Sequence, residues 1–245
     1  LYVSFIIILK YLINMNYSKK TLLDDDTIYS IGKSSEGFTY FKYFLKNNNN
    51  IKSFLDIGCG NGNLKKLMNK DIAYLGVDSN AGIYKPKKNK YIKYFKNSKK
   101  TEEYINKLKK FDCIALMDVL EHTDNFIDLF NIALKKSNKY VVVGLPNEQS
   151  FLSRVNFLVG KGIPTHGLEM VGTKPGHKHQ WLIQYDMALS LLTNSAQSYK
   201  FNLYKKYFFI TLPNNFLKRV IYKFILLFLP KKIKMNNFCL IFSKY

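Results

Sequence analysis

Residues 54–63 read FLDIGCGNGN, an apolar run that ends in three glycines at alternate positions. The stretch 51–57 is short and apolar, as a buried strand is. Gly58, Gly60 and Gly62 then break it, with backbone angles closed to other residues and room for a ligand against the main chain. LKKLM (64–68) reads as the first turns of a helix, predicted from about residue 63. Strand, glycine turn and helix open a nucleotide-binding βαβ unit. The dinucleotide form would place its third glycine where Asn63 stands, so the spacing here is G-x-G-x-G. Asp56 departs from that form again. A carboxylate at the mouth of the turn repels a pyrophosphate by roughly 1 kcal/mol even when water screens the pair. It attracts positive charge, so the turn suits a cationic nucleoside.

The next apolar run, AYLGVDSN (73–80), ends in Asp78, sixteen residues after Gly62. An acid there can accept hydrogen bonds from both hydroxyls of a ribose. FLDIGCGNGN and YLGVDSN together resemble the first two motifs of the class I S-adenosylmethionine-dependent methyltransferases. That cofactor carries an ammonium, a sulfonium and an adenosine, and no phosphate. FDCIALMDVLEH (111–122) is similar to the family's fourth strand with its Leu-Glu-His ending, and KYVVVGLPNE (139–148) to its fifth. The resemblance spans most of residues 51–148. It implies S-adenosyl-L-methionine as cofactor, S-adenosyl-L-homocysteine as product, and a cofactor site drawn from Asp56, Gly58, Cys59, Gly60, Gly62, Asp78, Ser79, Met117 and Asp118. The acid that the family usually places after its third strand, on the adenine, is missing. YFKNSKK (94–100) offers Asn97 or Ser98 for that contact.

Between these motifs apolar and amphipathic segments alternate. Strands are predicted at 51–57, 73–78, 91–95, 111–117 and 139–145, and helices at 102–110 and 125–136. After a helical and loop insertion at about 146–182, a helix (185–196), a strand (201–210), an apolar helix (216–230) and a last strand (236–245) complete the chain. Alternation of this kind gives a doubly wound sheet with helices on both faces. The resemblance implies a Rossmann-like α/β fold of seven strands, mostly parallel, with an antiparallel last strand. Residues 15–245 read as one methyltransferase domain, with FTYFKYFL (38–45) an amphipathic helix over the sheet. LYVSFIIILKYLIN (1–14) is an apolar extension, too short to span a bilayer and interrupted by Lys10. It lacks a basic leader and a small-residue cleavage site, and Met15 is the expected translational start.

The net charge of +21 invites a nucleic-acid reading. Among 38 basic residues, however, only Arg154 and Arg219 are arginines, the type suited to bidentate recognition of phosphate and bases. The lysines are spread along the whole chain, and the proline motifs of base-methylating families do not occur. Nucleic acid is therefore not the expected acceptor. The three cysteines, Cys59, Cys113 and Cys239, have no C-x-x-C spacing, which indicates reduced thiols and a cytoplasmic location. Cys59 reads as a small filler of the turn.

Methyl transfer from a sulfonium is an in-line displacement on an activated donor, so positioning supplies much of the rate. A base is needed only where the acceptor must lose a proton. His122 after the fourth strand, and His177 and His179 in GHKHQW, are the candidate catalytic residues. His122 also reads as a packed histidine at a helix start. With His166 and Glu169 the H-x-H pair suggests a metal, but nothing in the sequence fixes three converging ligands, and none is assigned. The loop reads instead as an acceptor-site lid or a structural brace. VIYKFILLFLPKKIK (220–234), within the segment 216–234, suits either a core helix or an interfacial helix touching anionic lipid. The expected activity is methyl transfer to a small-molecule or lipid-linked acceptor by a monomer or homodimer. The alternative is a cofactor-binding regulatory protein, since the end of the fifth strand and the His-containing insertion also resemble MetW-type proteins.

Overall fold

The computed structural model describes residues 27–31, 41, 44–45, 47–79, 90–163, 165–166 and 178–245. The expectations for residues 1–14 and for His177 fall outside them.

Among the described residues eight strands form one sheet: β1 (Thr27–Ile31), β2 (Ser53–Ile57), β3 (Ala73–Asp78), β4 (Ile92–Tyr94), β5 (Phe111–Met117), β6 (Ser137–Pro146), β7 (Phe201–Leu212) and β8 (Asn237–Lys244). Their order is β1-β7-β8-β6-β5-β2-β3-β4. Only β8 runs antiparallel, to both β6 and β7. The seven expected strands are thus joined by an eighth. TIYSI pairs in parallel with Phe208–Leu212 and covers the edge of the long β7, which would otherwise present a row of unpaired backbone groups.

The helices that lie wholly within the described residues are α1 (Ser98–Lys107), α2 (Phe126–Lys136), α3 (Phe151–Leu158), α4 (Tyr185–Ser198), α5 (Phe216–Leu227) and α6 (Lys231–Lys234). α1 begins four residues before the expected start because Asn97 caps it, its side-chain oxygen accepting the Lys100 N–H at 3.0 Å. The helix expected after the glycine turn is one 3-10 segment, Asn63–Leu67. Only residues 68–72 separate it from β3, too few for further turns.

Side chains alternate between the two faces of the sheet. Leu55, Ile57, Ile114, Leu116, Val141 and Val143 meet the helical layer through residues such as Ile105, Phe130 and Leu192. Phe54, Cys113, Ala115 and Val142 face the opposite way, onto Phe41, Phe44, Leu45 and Leu64. Strand order reverses between β2 and β5, and ligands of open α/β sheets bind beyond the carboxyl ends at such a point.

Candidate cofactor and acceptor site

β2 delivers the glycine turn to that crevice. Gly58, Gly60 and Gly62 have φ of 72°, 52° and 72°, the left-handed region that favours glycine. Gly58 could not be otherwise, since a Cβ there would stand 2.3 Å from Val119 Cγ2. The amides of Gly58 and Cys59 both donate to the Val77 carbonyl, at 2.8 and 3.2 Å. The Gly60 N–H donates to Asp78 Oδ2 at 2.8 Å, and the Tyr94 hydroxyl donates to the Gly60 carbonyl at 2.9 Å. The ends of β3 and β4 therefore clamp the turn.

Asp56 is buried under this turn. The Tyr74 hydroxyl donates to its Oδ2 at 2.6 Å. Burial pushes its carboxyl up to about 7, against the pull of the Tyr74 hydrogen bond and with a further push from Asp78. A cavity of about 220 Å³ opens above it, lined by Asp56, Gly58, Cys59, Gly60, Asn61, Asn63, Leu64, Met117 and Asp118. It joins the ends of β2 and β5. Asp118 reaches it from left-handed backbone, φ 53°, a conformation that costs a non-glycine residue about 1–3 kcal/mol and clusters at functional sites.

A second group of side chains lies beyond β5. Leu120–His122 is a 3-10 turn. The segment 178–181 is fastened to it by the Gln180 N–H donating to the Glu121 carbonyl and by Trp181 Nε1 donating to the Thr123 carbonyl, both at 2.7 Å. This brings the His122 and His179 rings to 4.6 Å, edge to face. His166 Nε2 and His179 Nδ1 each lie 2.6 Å from Glu148 Oε1, while the Ile183 N–H donates to its Oε2 at 2.7 Å. Burial alone would raise the Glu148 carboxyl, but His179, the Ile183 amide and His166 hold it below its ordinary value. Glu121 is buried with less support, a hydrogen bond from its own backbone amide. Burial, then the nearby Asp118 and more weakly Glu148, push its carboxyl well above the usual range.

A family model described as a methyltransferase domain matches residues 37–190, more than half of the chain. The chain belongs to that methyltransferase family. Its fold is that of the class I enzymes. A SAM-dependent methyltransferase from Archaeoglobus fulgidus superposes with a TM-score of 0.55 at 22% identity, over 85% of this chain and 97% of that one. The methyltransferase domain of bacterial-CtHen1-CN does so with a TM-score of 0.55 at 16% identity, over 86% and 100%. At these identities the likeness is one of fold. No curated protein matches the chain in sequence.

In this methyltransferase chain the structure gathers Asp56, Gly58, Cys59, Gly60, Met117 and Asp118 around one cavity. Gly62 caps the 3-10 segment beside it, and Asp78 holds the turn from beneath. Ser79 follows Asp78 and is partly buried. Asn97 is exposed and spends its side-chain oxygen on the α1 cap. His122 and His179 come together, while His177 lies outside the described residues. Tyr74, Tyr94 and Glu148 were not singled out from the sequence. Glu148 had a signal, an acid two residues past the end of β6; the tyrosines had none, because their roles depend on pairing across the sheet.

Proposed function

We propose that the chain transfers the sulfonium methyl of S-adenosyl-L-methionine to a small-molecule or lipid-linked acceptor, releasing S-adenosyl-L-homocysteine. The observation that carries this is a buried carboxylate, Asp56, beneath a glycine turn at the reversal point of the sheet. A cationic amino-acid group stabilises such a carboxylate, and a phosphate does not. Asp56 is assigned to the ammonium and the turn amides to close main-chain approach. Asp78, which already sets the position of Gly60, is assigned to the ribose hydroxyls. Met117 and Asp118 form the wall on the β5 side, where the methyl group would point. His122 and His179 stand beyond that wall, on the acceptor side. An acceptor hydroxyl or amine attacks the methyl carbon, the carbon–sulfur bond breaks, and the acceptor's proton passes to a base or to water.

A surface feature favours the lipid-linked class. α3 buries none of its residues, and Leu158 is 83% exposed. α5 exposes Phe216, Leu217, Ile221 and Phe224, and Phe228 beyond it is 75% exposed. Phe151 of α3 packs against the buried Tyr222 of α5, with ring centroids 6.3 Å apart. Lys218 and Arg219 lie within α5, and the short α6 that follows carries Lys231, Lys232 and Lys234. Apolar surface together with positive charge suits the interface of an anionic membrane. Among the described residues no helix is long and apolar enough to cross one.

Incubation with tritium-labelled S-adenosylmethionine and whole-cell extract should place label in low-molecular-weight material, with the organic phase enriched over the aqueous one. Label confined to the aqueous phase would remove the lipid preference. Label in nucleic acid would contradict the acceptor class. Tight cofactor binding with no transfer into any fraction would favour a regulatory protein.

A further inference from the structure

We propose that Glu121, His122 and His179 form a binding site for one divalent first-row transition-metal ion. This stands apart from the cofactor assignment. Each of the three residues offers a donor atom within 4.8 Å of the other two.

The hydrogen bonds orient both rings for ligation. His122 Nδ1 lies 3.0 Å from the Lys178 carbonyl oxygen, which can only accept, so this nitrogen is the donor. His179 Nδ1 meets Glu148 Oε1 at 2.6 Å and donates there. A neutral imidazole that donates from Nδ1 carries its lone pair on Nε2. His122 Nε2 is 4.0 Å from Glu121 Oε1. Two donors about 2.1 Å from one ion stand no more than about 4.2 Å apart, so this pair closes on an ion with little movement.

Glu121 supplies the independent sign of a ligand. It is 1% exposed, and its Oε2 has no hydrogen-bond partner among the described residues. A carboxylate buried in that way is unfavourable unless a cation or donor meets it. Glu148 and the Lys178 carbonyl then act as the outer shell that fixes the tautomer and raises the basicity of the ligating histidines. The neighbouring group of Glu148, His166 and His179 is less suited to an ion, because both histidines already converge on a single oxygen of Glu148. Two imidazoles and a carboxylate favour a transition ion over magnesium or calcium and leave positions open for an oxygen donor. Asp118, which lines the cofactor cavity, lies close enough to Glu121 and His179 to interact electrostatically with both.

The test uses the full chain, stripped with chelator and freed of any histidine tag. Mn²⁺ binding is followed by electron paramagnetic resonance and Zn²⁺ binding by calorimetry. The expected result is one equivalent of at least one of the two ions. Glu121→Gln should weaken it at least tenfold, and Glu148→Gln, through the outer shell, about tenfold to a hundredfold. Circular dichroism checks that each variant folds, and His122→Gln, with the same expected loss, replaces any that does not. A wild-type chain that binds neither ion overturns the site, as does a folded Glu121→Gln that binds as tightly as wild type. Cofactor titration of the same samples separates the two assignments: cofactor binding without metal overturns the metal site alone, and metal without cofactor supports it while overturning the methyl-transfer reading.

Discussion

Asp56→Asn should weaken S-adenosylmethionine binding by about tenfold to a hundredfold, the range of a hydrogen bond to a charged partner, and should also make the unliganded chain more stable. The two effects share one cause. In the folded chain burial lifts the Asp56 carboxyl to about 7 from 3.8. The folded state therefore keeps a proton between those values that the unfolded chain releases. The contribution of this group to stability is largest below pH 4, falls as pH rises toward 7, and is level above it, a total change of about 4 kcal/mol. Asparagine keeps an acceptor for the Tyr74 hydroxyl and removes the buried charge, so its melting temperature at pH 8 should exceed that of wild type by several degrees. Affinity has the opposite sign. Only ionised Asp56 attracts an ammonium, so wild-type affinity should climb about tenfold per pH unit below 7 and level off above, a slope the variant should lack. Calorimetry and melting curves across pH 5–9 check both halves. An asparagine variant that binds as wild type does would remove Asp56 from the site.

Gly58→Ala should abolish measurable cofactor binding and destabilise the fold by roughly 2–5 kcal/mol, from left-handed strain and overpacking together. At φ 72° the new methyl group would lie 2.3 Å from Val119 Cγ2. Val119 adjoins Asp118, so a shift there moves the cavity wall as well as the turn. Adding Val119→Ala to the Gly58→Ala chain should recover the packing share of the stability and leave the backbone share. The four melting temperatures form a double-mutant cycle with a positive coupling. If Gly58→Ala melts with wild type, the turn does not have this conformation.

The features legible in the sequence were those carried by short contiguous stretches. FLDIGCGNGN and AYLGVDSN fold as β2, the glycine turn and β3, and Asp56 and Asp78 fall at the strand ends where the alternation placed them. What depended on distant pairing was not legible. TIYSI has no outstanding pattern and becomes a strand because the edge of β7 is there to receive it. Tyr74 reads as one more apolar strand residue until pairing of β2 with β3 sets its hydroxyl on Asp56. The histidine group draws on the end of β6, the turn after β5 and two pieces of the insertion. Its spacing in sequence therefore gave no hint that Glu148 would be its centre.

The most direct measurement is a calorimetric titration of the wild-type chain with S-adenosylmethionine at pH 8, beside NAD under the same conditions. A cationic nucleoside site built on Asp56 and the glycine turn predicts saturable binding of one equivalent of S-adenosylmethionine and no heat with NAD. Saturable binding of NAD with none of S-adenosylmethionine would contradict it.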